Sequence, residues 1–268
     1  MRLGLILTLV LPWLAAAAPA REAPLIGLQT ADQSKGWNAV GRLDLGRHGF
    51  CSGALIAPDL VLTAAHCLYD KNTGEKVAPK DIQFLAGLRN GRAEAYRRAA
   101  IAVTHPDYWP DHASDLDRVG NDIALIQLDQ PIRQPSITAF ATADTTGIGA
   151  EVGVVSYAQN RAEVPSLQEL CHVIDASTTV LVMSCDIDYG SSGAPVFAMQ
   201  NGAAVIVSVI SAKAEAKGKK VALGAVLQRP LQSLRAELAK QSPPNLTVGK
   251  HISTLSGGKA SGAKFLKP

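Results

Sequence analysis

Three short segments of this 268-residue chain carry side chains that together can perform nucleophilic chemistry. Leu62-Thr63-Ala64-Ala65-His66-Cys67 delivers an imidazole directly after the apolar run Leu60-Val61-Leu62. Gly120-Asn121-Asp122-Ile123-Ala124-Leu125 supplies a carboxylate at the start of another apolar run, and Gly190-Ser191-Ser192-Gly193-Ala194-Pro195 sets a hydroxyl between glycines. A serine hydroxyl is a poor nucleophile at neutral pH, so it needs a base within hydrogen-bond reach, and the base needs a third group to hold its tautomer. His66, Asp122 and Ser192 match those three roles. Asp107, Asp111, Asp115 and Asp117 crowd the polar loop upstream, but only Asp122 is followed at once by an apolar strand that can fix its position. A carboxylate buried there needs the imidazole as partner. Glycine at 190 permits a backbone turn that exposes N–H groups, so the amides of Gly190 and Ser192 are candidate oxyanion donors.

The order His, Asp, Ser resembles that of the chymotrypsin-type serine proteases. Within that family the likeness is to the bacterial trypsin-like and glutamyl-endopeptidase-like branch, whose nucleophile segment often reads Gly-x-Ser-Gly-x-Pro. Cys51-Ser52-Gly53-Ala54-Leu55-Ile56 and Ala65-His66-Cys67 match the family at fixed spacing, and Ser192-Gly193-Ala194-Pro195 puts the nucleophile at Ser192 rather than Ser191. The resemblance implies peptide-bond hydrolysis through an acyl-enzyme on Ser192, a protein or peptide as substrate, and no cofactor. It also implies a disulfide Cys51–Cys67 that steadies the histidine loop, with Cys171–Cys185 as the second bridge. His105, in Thr104-His105-Pro106-Asp107-Tyr108, resembles a structural loop of the family and receives no catalytic role. A metal site would be the competing reading of these cysteines and histidines, but no Cys-x-x-Cys or His-x-x-x-His pattern exists, so none is expected.

Specificity is open at this level. Counting back six from Ser192 reaches Asp186, the pocket-floor position that binds Lys or Arg in trypsin-like members; the same carboxylate equally caps a turn or bonds backbone amides. The opposite wall falls on Val207–Lys213, where Ser211 is the closest match to the family's substrate-binding strand and Lys213 is placed to attract an acidic side chain instead. Cleavage after Lys or Arg, acid-specific cleavage of the glutamyl-endopeptidase kind, and a catalytically silent binding protein of the same fold are the readings to separate; the intact triad residues argue against the last. Trypsin-type members carry an aspartate before the nucleophile, which pairs with a newly released N-terminal ammonium. Ser191 stands there in this chain, so although Leu25-Ile26-Gly27 resembles the family's mature N-terminus, activation independent of that ammonium is expected.

The elements that must position these residues are short. Apolar or alternating segments bounded by Gly, Pro, Asn and Asp recur at Ala39–Leu45, Ser52–Ile56, Leu60–Thr63, Ile82–Leu85, Ala99–Thr104, Ile123–Leu128, Val152–Tyr157, Val180–Ser184, Ala194–Met199, Ala204–Ser211 and Val221–Val226. Their spacing and β-branched content predict an all-β protein. Pro230–Lys240 differs, with Leu231, Leu234 and Leu238 at helical spacing. The Thr-, Gly- and Ala-rich stretch Ala141–Ala150 is the candidate boundary between two β units. The family resemblance makes these two antiparallel six-stranded β-barrels, with His66 and Asp122 from residues 21–145, Ser192 from residues 146–240, and a C-terminal helix.

Residues 1–20 read as a secretory signal peptide: Arg2, an apolar run from Leu3 to Ala18, then Ala18-Pro19-Ala20 as a small-x-small cleavage site. A secreted or periplasmic location follows, with no integral membrane segment after cleavage, and an oxidising compartment makes four cysteines legible as two disulfides. Residues 241–268 hold four lysines and no acid and read as a basic disordered tail. Without Lys250, Lys259, Lys264, Lys267 and Arg2, the 26 basic residues fall to 21 against 23 acids, so the folded body has no basic excess to argue for a nucleic-acid partner.

Overall fold

The computed structural model describes residues 22–110, 116–144, 146–216 and 218–241. The signal peptide expected at 1–20 and, beyond Gln241, the tail expected at 241–268 lie outside the described residues. The first half of the chain contributes β1 (Ile26–Gly27), α1 (Ala31–Ser34), β2 (Val40–Asp44), β3 (Phe50–Ala57), β4 (Leu60–Thr63), β5 (Gln83–Ala86), β6 (Ala95–Thr104), α2 (Leu116–Asn121) and β7 (Ala124–Leu128). The second contributes β8 (Glu151–Ala158), β9 (Arg161–Ala176), β10 (Val180–Met183), β11 (Pro195–Gln200), β12 (Ala203–Ala216), β13 (Lys219–Val226) and α3 (Gln228–Gln241).

Strands β2 to β7 close into a six-stranded antiparallel barrel in the order β2-β3-β4-β7-β6-β5. The other six repeat that order as β8-β9-β10-β13-β12-β11, and pairing of β11 with β8 closes the second barrel. Closure removes free sheet edges and turns alternate side chains inward. Leu43, Leu55, Leu62, Phe84, Leu125 and Ile126 are buried in or around the first barrel, and Val154, Leu181, Met183, Val196, Val207 and Ala222 in or around the second.

The two barrels are tied by more than the chain between them. Phe140 donates its amide to the Leu55 carbonyl of the first barrel, while Ala143 donates to the Ile206 carbonyl of the second and the Ile206 amide donates back to the Ala141 carbonyl. Trp37, Phe140 and Phe197 pack as an aromatic cluster across the junction, with ring centroids 4.7 to 6.0 Å apart. The terminal segments also cross over. β1 adds to β9 of the second barrel, and α3 lays Leu231 and Leu234 onto the core of the first, against β6 and β7.

Two strands, the two-residue β1 and the long β9, have no counterpart in the sequence reading. β9, at 16 residues the longest, contains Pro165 and five acidic, amide or imidazole side chains that break the alternation: Glu163, Gln168, Glu169, His172 and Asp175. It forms because β8, β10 and β1 all pair with it, so tertiary hydrogen bonding overrides a weak local pattern. Both disulfides form as the resemblance implied, Cys51–Cys67 and Cys171–Cys185, and there is no free cysteine among the described residues.

Candidate active site

β4 and β7 are antiparallel neighbours, with Thr63 opposite Ala124. The residues just beyond those paired ends therefore meet. His66 occupies a 3-10 turn (Ala65–Leu68) after β4, and Asp122 sits between α2 and β7. His66 Nδ1 lies 2.6 Å from Asp122 Oδ2, and the His66 amide donates to Oδ1 at 2.8 Å. Facing a carboxylate, Nδ1 carries the proton and Nε2 is left as the basic nitrogen. The Asp122 side chain is 2% exposed and that of His66 18%, so only the imidazole is open to a substrate. A third group completes this corner: Ser211, on β12, donates its hydroxyl to Asp122 Oδ2 at 2.5 Å. Burial pushes the Asp122 carboxyl up, but the charge and hydrogen bonds of His66, with the Ser211 hydroxyl, outweigh it and hold the pKa below the usual carboxylate value.

Ser192 approaches from the second barrel, in the turn between β10 and β11. Its carbonyl accepts from the Ser52 amide at 2.8 Å, and the Gly193 amide donates to Ile210 at 2.8 Å. Gly193 has φ +77°, and a Cβ there would fall 2.1 Å from Thr63 Oγ1 and 2.3 Å from the Ser52 carbonyl. The nucleophile segment is thus pressed against the backbone leading into His66. Ser192 Oγ has no hydrogen-bond partner within 3.5 Å among the described residues. Contacts of this kind commonly tighten only when substrate is bound.

Residues Asp188 to Ser191 form a turn closed by Ser191 N–H to the Asp188 carbonyl at 2.9 Å, with Gly190 at φ +96° in its third position. A positive φ there defines a type II turn, for which glycine is the favoured residue. The Tyr189 carbonyl accepts from the Gln159 amide at 2.7 Å, and the Gly190 carbonyl accepts from Ser52 Oγ at 2.9 Å. Because the peptide is planar and trans, the Gly190 N–H points away from Gln159. Among the described residues neither the Gly190 nor the Ser192 N–H has a partner, so both are available to an anionic oxygen.

Beside this turn is a cavity of about 680 Å³, with Arg161, Asp186, Asp188, Lys213, Glu215 and Lys220 on its walls. Asp186 is exposed within it rather than buried at a floor. Its amide donates to Gln168 Oε1 at 2.7 Å, and no cation lies within 4.0 Å of its carboxylate among the described residues. Lys213 Nζ is 3.0 Å from Asp188 Oδ1 and 3.8 Å from the centre of the Tyr189 ring, so it is already partnered. Ser211, expected on the substrate-binding strand, is buried and turns its hydroxyl onto Asp122.

His105 is buried, its Nδ1 accepts from the Asp107 amide at 3.3 Å, and burial lowers its pKa, all in keeping with a neutral structural residue. Ligand atoms of Cys51, His66 and Cys67 lie within 4.8 Å of one another, but the two sulfurs are joined to each other and present no thiolate to a metal. Sequence reasoning passed over Ser52, Gln159 and Arg161. The only local signal was a serine in an otherwise apolar buried strand at 52; the other two act through a hairpin tip whose position depends on barrel closure.

The sequence model of the family described as Trypsin matches residues 26–228, well over half of the chain. The chain belongs to the trypsin family. Relatives include a trypsin of Squalus acanthias, 38% identical over 89 residues, which cover 33% of each chain. A glutamyl endopeptidase of Bacillus licheniformis is 28% identical over 157 residues, covering 56% of this chain and 45% of that one. The matches therefore span less than half of these relatives' lengths. Among solved structures, a Glu endopeptidase aligns with TM-score 0.66 at 18% identity, over 83% of this chain and 99% of its own. That likeness carries the two-barrel fold of this trypsin-family chain.

Proposed function

We propose that this trypsin-family chain is a serine endopeptidase that hydrolyses protein or peptide substrates through an acyl-enzyme on Ser192. The observation that carries the reading is the His66–Asp122 pair at 2.6 Å, with the Ser192 segment docked through Ser52 against the same loop. His66 Nε2 takes the Ser192 hydroxyl proton as Oγ attacks the scissile carbonyl. The oxyanion is received by the N–H groups of Gly190 and Ser192, each such donor being worth about 2.7–4 kcal/mol in the transition state. The imidazolium, stabilised by ionised Asp122, then protonates the leaving amine, and the same base activates the water that releases the acyl group.

For the primary specificity, Asp186 supports cleavage after Lys or Arg, since its carboxylate faces an open cavity without an ion-pair partner. Acid-specific cleavage is the second reading; Lys213 on the opposite wall and the likeness to a glutamyl endopeptidase favour it. The disulfides support an oxidising, secreted or periplasmic setting, and among the described residues no helix is long and apolar enough to cross a membrane.

The test is a cleavage-site profile on a denatured protein mixture, with a serine-directed phosphonate as label. Turnover and labelling that vanish together in Ser192→Ala, with folding intact, are expected. A wild-type protein that neither cleaves nor labels would leave the silent binding protein as the reading.

A further inference from the structure

The hairpin joining β8 to β9 reaches the nucleophile loop with two groups placed two residues apart. At its tip, the Gln159 amide holds the Tyr189 carbonyl at 2.7 Å. Arg161, the first residue of β9, turns its guanidinium to the same loop: Nη1 donates to the Ser156 carbonyl at 2.5 Å, and Nη2 to Ser156 Oγ at 3.0 Å and Ser191 Oγ at 3.3 Å. Arg161 is half-buried on the cavity wall, yet no carboxylate lies within 4.0 Å of it among the described residues; Asp186 and Asp188 act on it only from farther away. Burying a cation without a paired anion is unfavourable, so its place under the turn calls for a compensating role.

The Ser191 side chain supplies the link. It is fully buried, and its hydroxyl accepts from the Asp188 amide at 3.3 Å as well as from Arg161, which uses both acceptor positions of the oxygen. Its own proton is left for the Tyr157 carbonyl at 3.4 Å or Ser156 Oγ at 3.3 Å. Both ends of the Asp188–Ser191 turn are therefore anchored to β8 through one oxygen and one guanidinium.

This turn carries the Tyr189–Gly190 peptide, whose N–H is the free donor described above. Rotating that one peptide by half a turn converts type II into type I. The rotated peptide would aim the Tyr189 carbonyl where the N–H now points, and an oxyanion would meet a negative dipole.

We propose that the hairpin tip Gln159–Arg161 sets the orientation of the Tyr189–Gly190 peptide, with Arg161 as a positioning residue that keeps the oxyanion donors aimed. The proposal rests on the serine-protease reading for its catalytic consequence. Arginine keeps its charge throughout the pH range in which proteins remain folded, so the device is carried within the chain and does not wait for a new amino terminus.

The test compares the full mature chain with Arg161→Ala and Arg161→Lys by steady-state kinetics, inhibition by a peptide aldehyde, and amide hydrogen exchange of a peptide spanning residues 186–194. In Arg161→Ala, kcat is expected to fall about 10²–10³-fold, the effect of a lost oxyanion donor, while KM stays within about threefold because ground-state binding is untouched. Aldehyde affinity should fall in step, exchange at residues 188–192 should accelerate, and millimolar guanidinium should restore activity to this variant alone. Arg161→Lys should retain an intermediate kcat. Wild-type kcat, or a raised KM with kcat preserved, would overturn the proposal, the latter by making Arg161 a substrate-binding cation. Unchanged exchange in the loop would overturn it as well.

Should Arg161→Ala not fold, Ser191→Ala removes the link and leaves the guanidinium on Ser156. A lower kcat with faster loop exchange supports the proposal, and wild-type values of both defeat it. If the wild-type chain neither turns over substrate nor labels at Ser192, the serine-protease reading fails, while the exchange comparison still decides whether Arg161 holds the turn.

Discussion

Ser211 and His66 converge on a single oxygen of Asp122: Ser211 Oγ donates to Oδ2 at 2.5 Å, and His66 Nδ1 lies 2.6 Å from the same atom. The two donors come from different barrels, β12 of the second and the turn after β4 of the first. The carboxylate is therefore a fastening across the seam as well as a group that orients the imidazole.

This double role separates two substitutions. Asp122→Asn keeps the shape but favours the wrong imidazole tautomer, and kcat should fall about 10⁴-fold. Ser211→Ala removes only a hydrogen bond to a charged acceptor, about 1.5–3 kcal/mol. The folded pKa of Asp122 is depressed, so the ionised carboxylate's contribution is complete above its unfolded value, near 3.9, and is lost as pH falls through the folded value. Urea melts of Ser211→Ala should show the full deficit at neutral pH and a smaller one at about pH 3. A deficit that does not change with pH would mean that the hydroxyl stabilises something other than the carboxylate.

Gly193 is the tightest point of the nucleophile loop, since an added Cβ would sit 2.1 Å from Thr63 Oγ1, 2.3 Å from the Ser52 carbonyl and 3.0 Å from the Ala64 amide nitrogen. Two of those three atoms are backbone and cannot turn aside. Overpacking of about 1–3 kcal/mol adds to a left-handed backbone penalty of about 1–2 kcal/mol. Gly193→Ala should lower the midpoint of thermal unfolding and abolish Ser192 labelling at temperatures where it is still folded. A variant with wild-type labelling would show that the two barrels tolerate separation at this seam.

Where apolar runs end in turn residues, fold and site were legible together: Leu60–Thr63 is a strand with the expected bounds, and His66 and Asp122 follow because they sit at the ends of paired strands. The Pro230–Lys240 helix was visible from its spacing, though its partner, the first barrel, was not. β9 was hidden by Pro165 and its polar residues, and with it the hairpin that carries Gln159 and Arg161. The bond from Ser52 Oγ to Gly190 joins residues 138 positions apart, a distance over which only barrel closure determines what meets. The direction of the Ser211 hydroxyl was hidden for the same reason. Periodicity assigns a side chain to a face of a strand, and the neighbour on that face comes from the other barrel.

The exposed Asp186 carboxylate gives the specificity question a direct experiment. If it receives the substrate cation, Asp186→Ser should lower kcat/KM for substrates cleaved after Lys or Arg by about 10- to 150-fold, the worth of a hydrogen bond to a charged group. Lys213→Ala should then leave that preference in place, because Lys213 is occupied with Asp188 and Tyr189. Cleavage after Glu that is lost in Lys213→Ala and kept in Asp186→Ser would assign the pocket to acidic side chains.

The amino-terminal segment leads to the last prediction. Ile26 is not a free terminus inserted beside the nucleophile; it pairs with Leu167 in β1 and is 47% exposed. Ahead of it, Ala23 donates its amide to the Leu170 carbonyl at 2.9 Å and accepts from Gln168 Nε2 at 3.1 Å. The other end of the Gln168 amide, Oε1, receives the Asp186 amide at 2.7 Å. Ala23 thus lies beside the cavity wall, to which Glu22 and Leu25 themselves contribute. Shortening the chain to Leu25 takes away two bonds and leaves Gln168 free to swing, at about 0.5–1.5 kcal/mol per bond. A free ammonium at Leu25 finds no carboxylate at position 191, a serine whose hydroxyl already serves Arg161. Mature forms beginning at Arg21 should accordingly be active, and added N-terminal residues should not impair them. The form beginning at Leu25 should show a raised KM at similar kcat, because the loss falls on the cavity wall and not on the oxyanion turn. Activity confined to the Leu25 form, and lost when it is extended by one residue, would instead place a buried ammonium in the mechanism.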